Sequence, residues 1–285
     1  MKQLTLITIL LSFLLINLGG YVHNTGSSLA CPDWPLCHGQ IMPEMVDGVL
    51  IEHSHRLLAS LVGFLTLFIA VLNRKNPKTA VISNVALAMV IAQGILGGIT
   101  VIYQLPPLVS TAHLGLSMVF MCTLIFLHHK LSPATKCYRG SGVTPYLLIA
   151  LVLIFIQILL GAFLRHLGLG GVCGVGYQNS ILCLENLLPA TGTQVLHVLH
   201  RFMGTLAGAA VIVPSVLIFK RAQNSAKLLP AFTVLIIPTQ ILLGIMVIGT
   251  GFRPLITMLH LSGAALLLMA IWKEYLNQSE VSTSN

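Results

Sequence analysis

Charge is what this chain has least of. Only 8% of its 285 residues are Asp, Glu, Lys or Arg, and the acids number 7, whereas a soluble domain carries about 25% charged residues. A chain this poor in charge and 56% hydrophobic does not belong to the soluble globular class. Aromatic residues are few as well, at 7% with 2 Trp. No basic stripe interleaved with aromatics occurs, which removes nucleic acid from the partners. There is no C-x-x-C-H, so covalently attached haem is excluded. A C-x-x-C dithiol spacing is missing too.

Long apolar runs are what the chain has in quantity. Eight of them, at roughly 4–22, 50–72, 79–102, 108–128, 143–164, 194–219, 228–249 and 254–272, approach the ~20 residues that cross a hydrocarbon core. Inside lipid each segment must satisfy its own backbone polar groups, so the runs read as helices. The expected fold is an all-α integral membrane protein with eight transmembrane helices. Arg74, Lys75 and Lys78 follow the second run, Lys130, Lys136 and Arg139 the fourth, and Lys220, Arg221 and Lys227 the sixth, with Lys2 and Lys273 at the ends. The positive-inside bias makes that side cytoplasmic, with both termini inside. The net charge of +8 is then mostly a topology signal. The first run also has the look of a cleavable leader, with Lys2 before it and Gly26-Ser27-Ser28 and Leu29-Ala30-Cys31 after it. Its length and its counterpart in the fifth run favour a retained helix.

The second half of the chain repeats the first. His55 and His200 are each followed by Arg, in EHSHR and HVLHR, and lie 145 residues apart; His113 and His260, in STAHLG and TMLHLS, lie 147 apart. Gln93 to Gly97 matches Gln240 to Gly244, and Gly19-Gly20-Tyr21 matches Gly161-Ala162-Phe163. The expected organisation is two four-helix bundles in parallel repeat, residues 1–128 and 143–276, joined by a cytoplasmic linker 129–142 and followed by a tail 277–285. The glycines also have a plain packing role, because they let helices approach closely.

A polar imidazole in lipid costs free energy unless a partner holds it. Each of the four repeat histidines lies about six residues into its run, which at ~1.5 Å per residue is ~9 Å below the outer end. Two imidazoles at one level within each half can clamp a flat macrocycle with iron between two nitrogens. Zinc would need four ligands close together, usually with thiolates or a carboxylate. Histidines that only hydrogen-bond within the core remain the plain alternative. Arg56 and Arg201, next along, are candidates for haem propionates through charge-assisted bonds, or for snorkelling at the interface.

The halves differ at one informative place. Glu52 stands three residues before His55, where His197 stands before His200, and i, i+3 spacing puts each on the face of its neighbouring ligand. A carboxylate there can move protons or stabilise a developing cation; it can also simply favour a helix N-terminus. The asymmetry points to chemistry in the first half and a resident redox cofactor in the second. Cys31, Cys37, Cys173 and Cys183 fall in outer loops, where disulfides persist. An intraloop bridge Cys31–Cys37 is expected in the short, proline-bounded loop CPDWPLC, either as a staple or as a redox-active dithiol. Cys122 and Cys137 are expected to stay outside any bridge.

CPDWPLCHG, EHSHR and the histidines of the fourth, sixth and eighth runs resemble the haem A synthase family over essentially the whole chain. The resemblance implies oxidation of a ring methyl of haem O, through an alcohol, to the formyl group of haem A for cytochrome oxidase. It implies that His55 and His113 hold the substrate haem with Glu52 catalytic, and that His200 and His260 are axial ligands of a resident haem b. The Cys173–Cys183 bridge is a weaker expectation, since that loop lacks the CPxxPLC pattern. The implied setting is a bacterial plasma membrane with the chain multi-pass in lipid; haem O synthase, an electron donor and a second copy are candidate partners. A di-haem quinol-oxidising electron carrier and a haem transporter or chaperone are the competing classes. The carrier accounts for the histidines but leaves Glu52 idle.

Overall fold

The computed structural model describes residues 1–132, 142–184, 186 and 188–282. Lys136, Arg139, Cys137 and most of the linker 129–142 lie outside the described residues, as does the end of the tail 277–285. The described residues form eight helices long and apolar enough to cross a membrane, and no strand. They are α1 (Lys2–Asn24), α2 (Asp47–Asn73), α3 (Ala80–Ile102), α4 (Pro107–Lys130), α5 (Thr144–His166), α6 (Gly192–Arg221), α7 (Leu228–Gly249) and α8 (Pro254–Ser282).

Local chemistry explains several of the ends. Pro107 opens α4 and Pro145 lies in the first turn of α5, where a missing N–H costs nothing and a fixed φ helps. α6 opens on a capping box: the Gln194 N–H donates to the Thr191 hydroxyl at 3.3 Å, and the Thr191 N–H to the Gln194 side chain at 3.2 Å. Pro214 and Pro238 sit inside α6 and α7, a placement that membrane helices tolerate when neighbours satisfy the freed carbonyls.

Small polar residues are turned inward and large apolar ones outward, the pattern that suits lipid rather than water. α1 buries Thr5, Thr8 and Ser12, whose hydroxyls donate to carbonyls one turn back, of Met1, Leu4 and Thr8, at 3.1, 2.9 and 2.7 Å. Such side chains allow close helix contact and leave no orphan hydroxyl. On α2, Phe64 and Phe68 face out, 70% and 54% exposed.

The chain divides into two compact units. One comprises α1 to α4 with the stretch Arg253–Ser262 at the start of α8; the other comprises α5 to α7 with α8 from Gly263 onward. In the first unit α1 packs on α2 and α4, and α3 packs on the same two helices, closing a four-helix ring. The Ser262 hydroxyl bonds the Asn17 side chain of α1 in this unit. In the second unit α6 packs on both α5 and α7. Its C-terminal half is tied by Glu274 of α8, wholly buried, which accepts the hydroxyls of Ser215 on α6 at 2.9 Å and Thr233 on α7 at 2.5 Å. That network explains why α8 runs ten residues beyond its apolar stretch (282 against 272).

The helix starts refine the depth of the histidines. His113 and His260 are six residues past Pro107 and Pro254, but His55 and His200 are eight past Asp47 and Gly192. The two-residue difference corresponds to ~3 Å along a helix, because α2 and α6 begin in polar sequence ahead of their apolar runs.

Candidate functional site

Two histidines meet in the first unit. His55 on α2 and His113 on α4 are close enough to interact electrostatically. Nδ1 of each ring is buried without a hydrogen-bond partner. Buried polar atoms are almost always paired, so two orphaned imidazole nitrogens on helices that face each other across the four-helix ring are a donor set for a group between them. Glycines make room for both rings. A Cβ on Gly19 of α1 would stand 2.9 Å from His55 Cε1, and one on Gly97 of α3 would stand 3.4 Å from His113 Cε1. The paired, uncommitted nitrogens fit axial ligation of a haem iron.

The loop between α1 and α2 roofs this pair. Cys31 and Cys37 are joined by a disulfide, with Cα atoms 4.7 Å apart, and both are fully buried. Cys37 and Gln40 exchange two backbone bonds of 3.0 Å. The Asp33 carboxylate closes the turn, accepting the N–H of His38 at 2.6 Å and of Gly39 at 2.8 Å. Its pKa is held below the ordinary carboxylate value, chiefly by the Gly39 N–H; some desolvation opposes the shift, and the His38 N–H and the Arg56 charge add to it. Trp34 reaches down to α3, where its indole lies so close to Gly98 that a Cβ there would be 2.9 Å from the ring.

Arg56 and Glu52 fasten the roof to α2. Arg56 Nη1 donates to the carbonyls of Asp33 and Leu36 at 2.7 and 2.6 Å, and Nη2 to the Cys31 carbonyl at 2.9 Å. Nη2 also donates to Glu52 Oε1 at 2.6 Å, an i, i+4 ion pair. The other carboxylate oxygen, Oε2, accepts the Cys31 N–H at 2.8 Å. Four of the five guanidinium N–H groups are thus spent on the loop and on Glu52. A propionate contact for Arg56 would have to use Nε–H or displace a carbonyl. Glu52 is 3% exposed, with its carboxylate turned up to the roof.

The second unit builds its roof in the same way. Arg201 Nη2 donates to the Asn179 carbonyl at 2.7 Å, and Nη1 to the carbonyls of Leu182 and Ile181 at 3.1 and 3.3 Å. Cys173 and Cys183 are joined, and Cys183 bridges to Asn186 as Cys37 does to Gln40. Gly161 of α5 leaves the space for His200, since a Cβ there would be 2.7 Å from Cε1. Gln157 Nε2 lies 3.0 Å from His200 Nδ1 and donates to the His200 carbonyl at 2.9 Å. His197, in the place of Glu52, is 5% exposed and its Nδ1 has no partner. His260 lies on α8 in the stretch grouped with the first unit.

A family model described as "Cytochrome oxidase assembly protein" matches residues 2–48 and 44–272. The chain belongs to that family. It is 28% identical to the heme A synthase of Shouchella clausii over 232 residues, covering 75% of this chain and 74% of that protein. It is 26% identical to the heme A synthase of Halalkalibacterium halodurans over 257 residues, with 85% of each covered. Against that of Staphylococcus carnosus it is 26% identical over 260 residues, with 86% of this chain and 83% of that protein covered. Eight apolar helices and bacterial relatives make this cytochrome oxidase assembly family member a multi-pass protein of a bacterial plasma membrane.

Within that family frame, sequence reasoning missed several of the residues that shape the site. Gly19 and Gly161 looked like helix-packing glycines, and their signal was their matched place near the ends of the first and fifth runs. Trp34 was legible only as part of a proline-bounded loop. Gln157 lies one turn before Gly161, a helical spacing that could have flagged it.

Proposed function

We propose that this family member is a haem A synthase, an enzyme that oxidises a ring methyl of haem O through an alcohol to the formyl group of haem A. The observation that carries the reading is the His55–His113 pair, with a buried, partnerless Nδ1 on each ring, under a roof pinned by Arg56 and Glu52. His55 and His113 are assigned to the substrate haem, whose iron would supply redox chemistry when bound. Gly19 and Gly97 keep the ring positions open, and Trp34 with the Cys31–Cys37 loop shields the pair from bulk water. Excluding water from a charged reaction strengthens every electrostatic contact inside.

Glu52 is assigned the proton-accepting role, since a carboxylate beside the reacting methyl can take up a proton or stabilise a developing cation. Its carboxylate is buried one turn before His55, and Arg56 balances its charge until the proton arrives. The sequence repeat assigns His200 and His260 to a resident haem b, with Arg201 as a propionate candidate. The positive loops after α2, α4 and α6 are assigned to the cytoplasmic side, with both roofs outside. A di-haem electron carrier would leave the difference between Glu52 and His197 without a task.

The test is to express the chain in a host that makes haem O but no haem A and to extract the pigments. Haem A should appear with the native chain and be lost with His55→Ala or His113→Ala. Haem A made at the native level by both variants would overturn the ligand assignment, and no haem A from the native chain would overturn the enzyme reading.

A further inference from the structure

Between Glu52 and His55 stands another imidazole, which the haem site does not explain. His53 is 4% exposed, and both of its ring nitrogens are buried with no hydrogen-bond partner. A neutral imidazole carries one donor and one acceptor, and leaving both unpaired is costly inside a protein. What flanks the ring is the roof disulfide: a His53 nitrogen and the sulfurs of Cys31 and Cys37 all lie within 4.8 Å of one another. A sulfur is only a weak acceptor, so the oxidised pair cannot satisfy His53. The dithiol form adds an S–H group that can donate to the acceptor nitrogen.

We propose that Cys31, Cys37 and His53 form a copper(I) site when the disulfide is reduced. Two thiolates and one imidazole are a soft donor set, which selects copper(I) among the available metals. Zinc calls for four ligands, and three is the number gathered here among the described residues. The formation of the site balances in two steps. An external dithiol reduces the Cys31–Cys37 bond with two electrons and two protons and becomes a disulfide itself. Copper(I) then takes the two sulfurs and a neutral His53 nitrogen, releasing the two thiol protons.

The roof is built so that opening the S–S bond leaves the ligands in place. Arg56 grips the carbonyl of Cys31 and that of Leu36, the residue before Cys37. Glu52 holds the Cys31 N–H, and Gln40 pairs with Cys37 through two backbone bonds. None of these bonds involves sulfur, so the two thiolates stay beside His53 after reduction. A preorganised donor set loses little conformational entropy on binding.

The experiment uses the full chain in detergent, once oxidised and once reduced with a phosphine and desalted without air. Each form competes for copper(I) with bicinchoninate. The reduced protein should retain one more equivalent of copper than the oxidised protein, with a K-edge spectrum showing two sulfurs and one nitrogen. His53→Ala should weaken the extra site by at least about 10-fold, the low end of the cost of disturbing a metal's surroundings, and Cys31→Ser should abolish it. Equal retention by the two redox forms of the native chain would overturn the proposal, whatever the variants do. An extra equivalent that His53→Ala binds as tightly would also overturn it.

Discussion

Glu52→Gln separates the roof tie that this carboxylate makes from the part in turnover proposed for it. The charged side chain takes the Cys31 N–H at 2.8 Å and the Arg56 guanidinium at 2.6 Å, one on each oxygen. Glutamine has the same shape but a single acceptor oxygen, so its NH2 group must face one of the two donors. Hydrogen bonds to charged groups contribute ~1.5–3 kcal/mol, and at 1.4 kcal/mol per factor of ten the roof should open about 10- to 100-fold more often. Opening can be read from the rate at which an external dithiol reduces the Cys31–Cys37 bond. Haem A formation is measured on the same membranes. If Glu52 also accepts a proton, activity should fall by ~10²–10⁴-fold, beyond what the roof alone explains. Glu52→Asp, which keeps the charge on a shorter arm, should then retain more activity than Glu52→Gln despite a loosened roof. Wild-type haem A formation by Glu52→Gln would refute the proton role. A loss that tracks the reduction rate across Gln, Asp and Ala variants would leave the carboxylate as a roof tie only.

Other expectations follow from the same contacts. Gly19→Ala and Gly161→Ala each set a methyl within 2.9 or 2.7 Å of a histidine Cε1, where carbon atoms prefer about 3.5–4.0 Å. Each should cost ~1–3 kcal/mol by overpacking and shift the absorption spectrum of bound haem, whereas unchanged spectra would mean that the rings move freely. Asp33 is depressed below its ordinary pKa by the Gly39 N–H first, so its support of the turn is complete above the ordinary carboxylate pKa and is lost as pH falls through the lower folded value. Hydrogen exchange at the His38 and Gly39 amides should therefore gain protection as pH rises through that window, once corrected for intrinsic rates, and Asp33→Asn should abolish the dependence. Glu274→Ala strands the Ser215 hydroxyl in a buried site and leaves Thr233 only its bond to the Leu229 carbonyl, at ~1–3 kcal/mol for a stranded group. Its thermal midpoint should drop clearly, and a native-like midpoint would show that the three-helix tie is dispensable.

The helices were readable because lipid imposes a length and a composition that few other structures share. The seventh run matched α7 at Leu228–Gly249, and the third ended with α3 at Ile102. The failures have physical causes. α8 passes through Lys273 and Glu274 because partners far away in sequence satisfy the carboxylate, and hydropathy along one helix cannot register them. The hold of Arg56 on the roof loop went unseen because its acceptors are backbone carbonyls, which every residue possesses and no side-chain pattern announces. His53 passed unnoticed for a similar reason. Its meaning depends on a disulfide more than fifteen residues earlier in the chain (53 − 37 = 16) that the fold brings alongside.

The two units keep one device and differ in one charge. In each, an arginine one residue after a histidine holds a disulfide loop by three carbonyls, and a glycine clears space for that histidine. Retaining a roof in both units argues that enclosure of the histidine end is a common requirement. The residue three positions earlier is where they part. Glu52 neutralises its arginine through a 2.6 Å ion pair, while His197 leaves Arg201 without a carboxylate there. On the proposed reading, a carboxylate has a task beside a substrate being oxidised and none beside a cofactor that only passes electrons. Exchanging the two, with Glu52→His and His197→Glu, should therefore stop haem A formation without restoring it in the other unit, because the loop, Trp34 and the histidine pair proposed for the substrate remain in the first.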